Sequence, residues 1–202
     1  NESKLTLTQV TEIFLTTESY LFRRTMCDLP TNALNKIFLM LHREIVRYDG
    51  TEDDYVEKFK YALLSKKERA RFPDDVEFKV AFEERPVYLM NSKNKIYLLE
   101  RFENFGTSED KDVYRHCDDG TYSIEHIMPQ HLTPVWQKEL GDDYEQIHEE
   151  WLHRMANLTL TAYNSKYSNS SFTEKKTMQN GFDDSGIRMN TWIAKKNKWT
   201  LA

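Results

Sequence analysis

The chain has only two cysteines, six glycines and five prolines in 202 residues, and each shortage excludes something. Cys27 and Cys117 lie far apart and outside any CxxC spacing, so neither a disulfide framework nor a zinc knuckle is expected, and a reducing, cytoplasmic setting is the simplest. The scarcity of Gly and Pro, with 39% hydrophobic and 30% charged residues, argues against a low-complexity or disordered chain and for a helix-rich globular one. No apolar run approaches the roughly 20 residues that span a bilayer, so no membrane partner is expected. The opening NESKLTLTQV lacks a starting Met and the apolar centre of a signal peptide, which reads as a piece of a longer protein rather than a secretion signal.

Positive charge is also short, with a formal net charge of -5, and by itself this disfavours a phosphate-binding surface. The average hides an asymmetry. Residues 121–150 hold 1 basic and 7 acidic side chains, whereas residues 151–202 hold 8 basic and 3 acidic, a segment of about +5 following an acidic one. That pattern suits a surface facing phosphates, and a merely solvated basic face is an equally common use of it.

Apolar spacing predicts a helix from about Thr8 to Cys27, capped by Thr8, and a second after Asp28-Leu29-Pro30, capped by Thr31. Further helices are expected over Tyr55 to Leu64, Val76 to Phe82 and Lys95 to Phe105. Residues 1–105 therefore read as a helical domain without evident chemistry. The polar, turn-rich stretch 106–120 is the expected linker. In 121–202 the texture changes: a short strand through Tyr122, Ile124 and Ile127, a helix over Tyr144 to Met155, a second strand in Leu158 to Ala162, and helices near Phe172 to Gln179 and Met189 to Lys196. The expected fold class is mainly α with a small α+β element.

The chemistry-bearing pair is Glu125-His126, at the end of the first strand. Adjacent strand residues point to opposite sides, but where the strand curls into a loop both can approach one ion, Glu125 as carboxylate ligand and His126 as base. Hydrolysis of a phosphodiester needs an activated water and a group that neutralises charge on the phosphate; a neutral imidazole supplies the first and a carboxylate-held divalent cation the second. Alone, a Glu-His pair is a weak signal.

The context strengthens it. SIEHIMPQ at 123–130, Trp136, ANLTLTAYNSKYSNSSFTEKK at 156–176 and SGIRMNTWI at 185–193 resemble the C-terminal HNH nuclease region of GmrSD-type, modification-dependent restriction enzymes and related phage-defence proteins. ESYLFRRTMCDLPTNALNKIF at 18–38 and RFPDDVEF at 71–78 resemble the helical region before that nuclease, so the likeness covers most of the chain. The resemblance implies a ββα-metal (His-Me finger) module that hydrolyses DNA, with the 3′ oxygen as leaving group. His126 becomes the general base, Glu125 the first metal ligand, and Asn157 the residue that braces the loop holding the histidine. Asn164 takes the third motif position as a second ligand, with Asn169 a competing choice. Ligands of this type favour Mg2+ or Mn2+. Lys166, Lys175 and Arg154 are the implied phosphate contacts. Such proteins carry a nucleotide-hydrolysing domain upstream, for which this sequence has no GxxxxGK[ST] loop. A double-strand cutter with one site per chain would work as a homodimer or by two successive nicks.

Each residue also has a plainer use. His126 alone would be a hydrogen-bonded histidine, Glu125 a solvated acid, and Asn157 and Asn164 turn or cap residues. His131, His148 and His153 read as structural, since none stands in an HExxH pattern. The four tryptophans read mainly as core. The rival functions are a non-catalytic DNA-binding module, which would survive loss of His126, and a protein-interaction module built on the helical region, which would have no affinity for DNA.

Overall fold

A computed structural model describes residues 5–201. The chain is mainly helical, with one two-stranded antiparallel sheet, and it divides into two compact units at Phe82/Glu83.

The first unit contains α1 (Leu7–Met26), α2 (Leu34–Asp49), α3 (Tyr55–Leu64) and most of α4 (Asp75–Glu84). Its core is Tyr20, Ile37, Leu41, Ile45, Phe59, Ala62 and Leu63, the inward stripes of three amphipathic helices. The helix starts differ from expectation. Thr6, not Thr8, caps α1 through a capping box with Gln9, and α2 starts at Leu34 with no side-chain cap, Thr31 offering only its carbonyl to Leu34. Buried Arg24 replaces local caps as the fastener of this end, donating to the carbonyls of Arg69 (2.8 Å), Arg71 (3.2 Å) and Pro30 (2.7 Å).

The second unit holds α5 (Ser92–Asn104), α6 (Val113–Asp118), β1 (Ser123–His126), α7 (Pro134–Leu140), α8 (Tyr144–Trp151), β2 (Leu158–Thr161), α9 (Asn164–Tyr167), α10 (Phe172–Thr177) and α11 (Arg188–Ala194). The boundary expected at 106–120 therefore falls inside this unit, and α5 belongs to it rather than to the helical unit before it. Glu103 shows why. Its fully buried carboxylate accepts the backbone N–H groups of Arg188 (2.8 Å) and Met189 (3.0 Å) at the start of α11, and the Lys111 ammonium (2.6 Å). That satisfies donors a helix N-terminus leaves open and ties α5 to the end of the chain. The polarity of 106–120 marks a loop and the short α6, not a domain junction.

In the sheet Glu125 pairs with Thr159 and His126 with Leu158. Cross-strand partners share a face and neighbours along a strand do not, so Glu125 and His126 look to opposite sides. The Glu125 side is roofed by α10 and α11: Thr159 Oγ1 donates to Asn190 Oδ1 (2.5 Å), and Asn190 Nδ2 donates to Leu160 O (3.1 Å). Beyond β1, Ile127, Met128, Trp136, Tyr167, Phe172, Phe182 and Ile193 form the unit's apolar core. Neither cysteine is in a disulfide, and among the described residues no helix is long and apolar enough to cross a membrane.

Candidate functional site

The site grows from the loop that leaves β1. Ile127 N donates to Asn157 O (3.0 Å), which continues the strand pairing by one step. Asn157 is buried, and its side chain closes the loop: Oδ1 accepts from Met128 N (2.7 Å), while Nδ2 donates to Met128 O (2.9 Å) and Leu152 O (3.0 Å). Trp199 Nε1 also donates to Oδ1, at 3.2 Å. A carboxamide can satisfy the backbone donor and acceptor of one residue together, which a carboxylate or a hydroxyl of the same size cannot do in this geometry.

His126 is 5% exposed. Its Nε2 lies 3.2 Å from His153 Nδ1. Nδ1 of His126 has no hydrogen-bond partner among the described residues and is not wholly enclosed. The Tyr88 ring meets His126 edge-on at 4.3 Å and stacks on His153 at 5.3 Å with an 11° interplanar angle. Tyr88 N donates to His153 O (3.0 Å), and Lys95 Nζ donates to Tyr88 O (2.9 Å) while lying over its ring. Burial pushes the His126 imidazole down from 6.5 to about 4, with His153, Lys175, His148 and Lys95 lowering it further by charge repulsion. Burial first, and then His148, also lower His153. Both rings are neutral at pH 7, the form in which a histidine can accept a proton.

Glu125 stands elsewhere. It is buried, and its Oε1 is 2.5 Å from Lys175 Nζ, which also donates to the carbonyls of His126 (2.8 Å) and Ile127 (3.2 Å). Burial raises the Glu125 carboxyl against the pull of Lys175, and burial lowers the Lys175 ammonium against the pull of Glu125. Lys175 is fully buried, so its expected phosphate contact is corrected: the ammonium is spent on β1 and cannot reach a surface phosphate. A sequence shows the charge of a lysine but not that a helix turns it inward.

Asn164 begins α9 on the surface, where its Nδ2 donates to Ile124 O (3.2 Å). Asn169 is half-buried in the following loop. Lys166 is exposed, its ammonium 5.2 Å from the Tyr163 ring centre. Arg154 stacks over Trp151 at 4.6 Å and pairs with Glu150 at 3.2 Å. Thus Asn157, Glu125 and Lys175 all gather around β1, but on different sides of it. Sequence reasoning missed His153, Tyr88 and Lys95. A His-Arg-Met stretch just before a strand and a tyrosine nearly forty residues before His126 carry no spacing signal; only the tertiary fold brings them to His126.

The end of β1 and the loop that leaves it thus carry a buried neutral histidine, braced by an asparagine from the turn just before β2, on a small α+β scaffold. The chain itself matches, over residues 72–202, the family described as GmrSD restriction endonucleases, C-terminal domain. The match covers well over half of the sequence, and the chain belongs to that family. Membership gives it a nuclease role of the restriction-endonuclease type, with DNA as the substrate class. No curated protein and no solved structure matches.

Proposed function

We propose that the second unit is a DNA endonuclease of the HNH kind in which His126 is the general base of phosphodiester hydrolysis. The observation that carries the reading is a neutral imidazole held in an Asn157-braced loop with one ring nitrogen unpartnered and not wholly enclosed. The order β1, β2, then the short helices α9 and α10 supports a ββα module, and α10 packs its Lys175 against β1. In this mechanism Nδ1 of His126 takes a proton from water as the water oxygen bonds to phosphorus, the bond from phosphorus to the 3′ oxygen breaks, and that oxygen leaves with a proton taken from solvent, while Asn157 keeps the loop from following the ring as it charges. An approaching phosphate offsets the cations around His126 and makes it a stronger base where it is needed. Lys166 and Arg154 are the side chains we assign to phosphate contact.

A divalent cation on Glu125 and Asn164, as Mg2+ or Mn2+, does not fit the arrangement present. The Glu125 carboxylate is closed by the Lys175 ammonium on the opposite side of the strand from His126, and Asn164 lies exposed with its amide on Ile124 O. Among the described residues no group of three or more His, Cys, Asp or Glu side chains could hold a metal ion. No step here is routed through an ion. The same closure of Glu125 favours a second reading, a domain that holds DNA without cutting it.

A restriction or anti-phage setting, dependence on modified bases, a nucleotide-hydrolysing partner domain and a homodimer are proposals that rest on the family. The deciding experiment incubates the protein with unmodified and base-modified plasmid at low salt with Mg2+, Mn2+ or EDTA, comparing wild type with His126→Ala. Nicking by wild type and none by the variant is expected. Equal binding without nicking by either protein sinks the catalytic reading, and the EDTA arm decides whether a cation takes part.

A further inference from the structure

A histidine that takes a proton at one ring nitrogen must be held at the other, because an imidazole free to rotate or to change tautomer presents the wrong atom part of the time. For His126 the other nitrogen meets a single group, His153 Nδ1 at 3.2 Å. The charged and titratable groups around the pair are Lys175 from α10, His148 from α8 and Lys95 from α5, with Tyr88 packed against both rings. None of these is a carboxylate. His148 is committed elsewhere, its Nε2 lying 2.9 Å from Pro129 O.

The geometry points to His153 as the positioning residue of the proposed base: it accepts a hydrogen bond from Nε2–H of His126 and so fixes Nδ1 of His126 as the unprotonated, water-facing atom. The choice of atoms supports this direction. A contact between Nε2 of one ring and Nδ1 of another has two possible proton placements. With the proton on Nε2 of His126, both rings keep the Nε2–H form that an unconstrained histidine side chain prefers. With the proton on Nδ1 of His153, both must adopt the less favoured Nδ1–H form, and His126 loses the lone pair at its open nitrogen.

The surroundings hold this arrangement in place. Tyr88 lies flat against His153 and edge-on to His126, its backbone N–H bonded to the His153 carbonyl, so neither ring can swing without displacing it. When His126 takes a proton, the same hydrogen bond gains a charged donor, so the ring stays held at Nε2 as long as His153 is neutral. His153 acts on DNA only through His126.

This inference rests on the nuclease reading for its effect on rate but not for its effect on the proton. The test therefore has two readouts on the full chain: single-turnover and steady-state DNA cutting, and the ring-nitrogen 15N resonances of His126, which distinguish the two tautomers directly. His153→Asn keeps an acceptor oxygen close to the position of Nδ1; His153→Leu removes it. Expected are a wild-type His126 protonated on Nε2 only, a mixed-tautomer signature in His153→Leu, and kcat lower by about 10- to 100-fold in that variant with KM little changed, as loss of an orienting partner produces elsewhere. His153→Asn is expected to restore most of the rate and the single tautomer. A wild-type His126 protonated on Nδ1, or a His153→Leu protein with unchanged tautomer and kcat, overturns the proposal. Should wild type fail to cut DNA, the nuclease reading falls while the 15N signature still judges the pair; should His153→Leu fail to fold, the wild-type spectrum and His153→Asn decide.

Discussion

Lys175 Nζ lies 2.5 Å from Glu125 Oε1, with both side chains buried, and its other two protons go to the carbonyls of His126 and Ile127. One ammonium thus neutralises the carboxylate and holds down the backbone from which His126 projects. Removing a single partner of such a pair leaves an uncompensated buried charge, whereas replacing both with neutral groups does not.

Lys175→Met is expected to lower stability by about 3–5 kcal/mol, and the double variant Glu125→Gln/Lys175→Met by clearly less. Urea unfolding of the three proteins checks this. Equal losses in the single and double variants would mean that the pair contributes through packing and not through charge.

Nucleic-acid affinity separates the lysines. Lys166→Ala is expected to reduce the slope of log K against log salt by about one, as loss of one phosphate contact does. A destabilised but folded Lys175→Met protein should keep the wild-type slope, because its ammonium never reaches the surface. Titrations of a short duplex at several salt concentrations test both.

The pH dependence follows from His126. Its folded pKa is lowered to about 4 from 6.5, so the folded protein binds fewer protons than the unfolded chain between those values. Stability is then expected to fall as pH drops from about 6.5 towards 4, and to be insensitive to His126 above that window. The base stays neutral at pH 5.5, so the acid limb of DNA cutting should lie below pH 6. A limb centred near 6.5, abolished with the activity in His126→Ala, would show instead that bound DNA restores the ordinary value.

Asn157→Ala deletes the acceptor of Met128 N and the donor to two carbonyls, orphaning buried backbone groups at about 1–3 kcal/mol each. Thermal unfolding should shift down, and cutting should fall further than the stability loss accounts for, because the loop that carries His126 loses its brace. Asn157→Asp offers an acceptor but no donor, and is expected to lie between the two.

What could be read from residues alone followed from local physics. The apolar stripes of α1 to α3 and the alternation in Leu158 to Thr161 are short-range patterns, and the structure places the elements within a few residues of them. The signals that failed were also local: Thr8, Thr31 and the polar 106–120 stretch have the composition of caps and a linker, but Thr6 caps α1, Arg24 fastens the carbonyls near α2, and Glu103 carries α5 into the second unit. Short α7 and α9 lie below the length at which periodicity speaks.

The sequence by itself determined the helical character, the two strands and the placing of His126 at the end of the first, because these depend on neighbours along the chain; Asn157, expected to open the second strand, lies in the turn just before it. The tertiary structure alone decided which way each charge faces and what stands beside the imidazole. Lys175 is turned inward by α10, and His153 and Tyr88 meet His126 across sequence separations of 27 and 38 residues. Such meetings depend on how helices pack after they form, and no spacing in the chain records them.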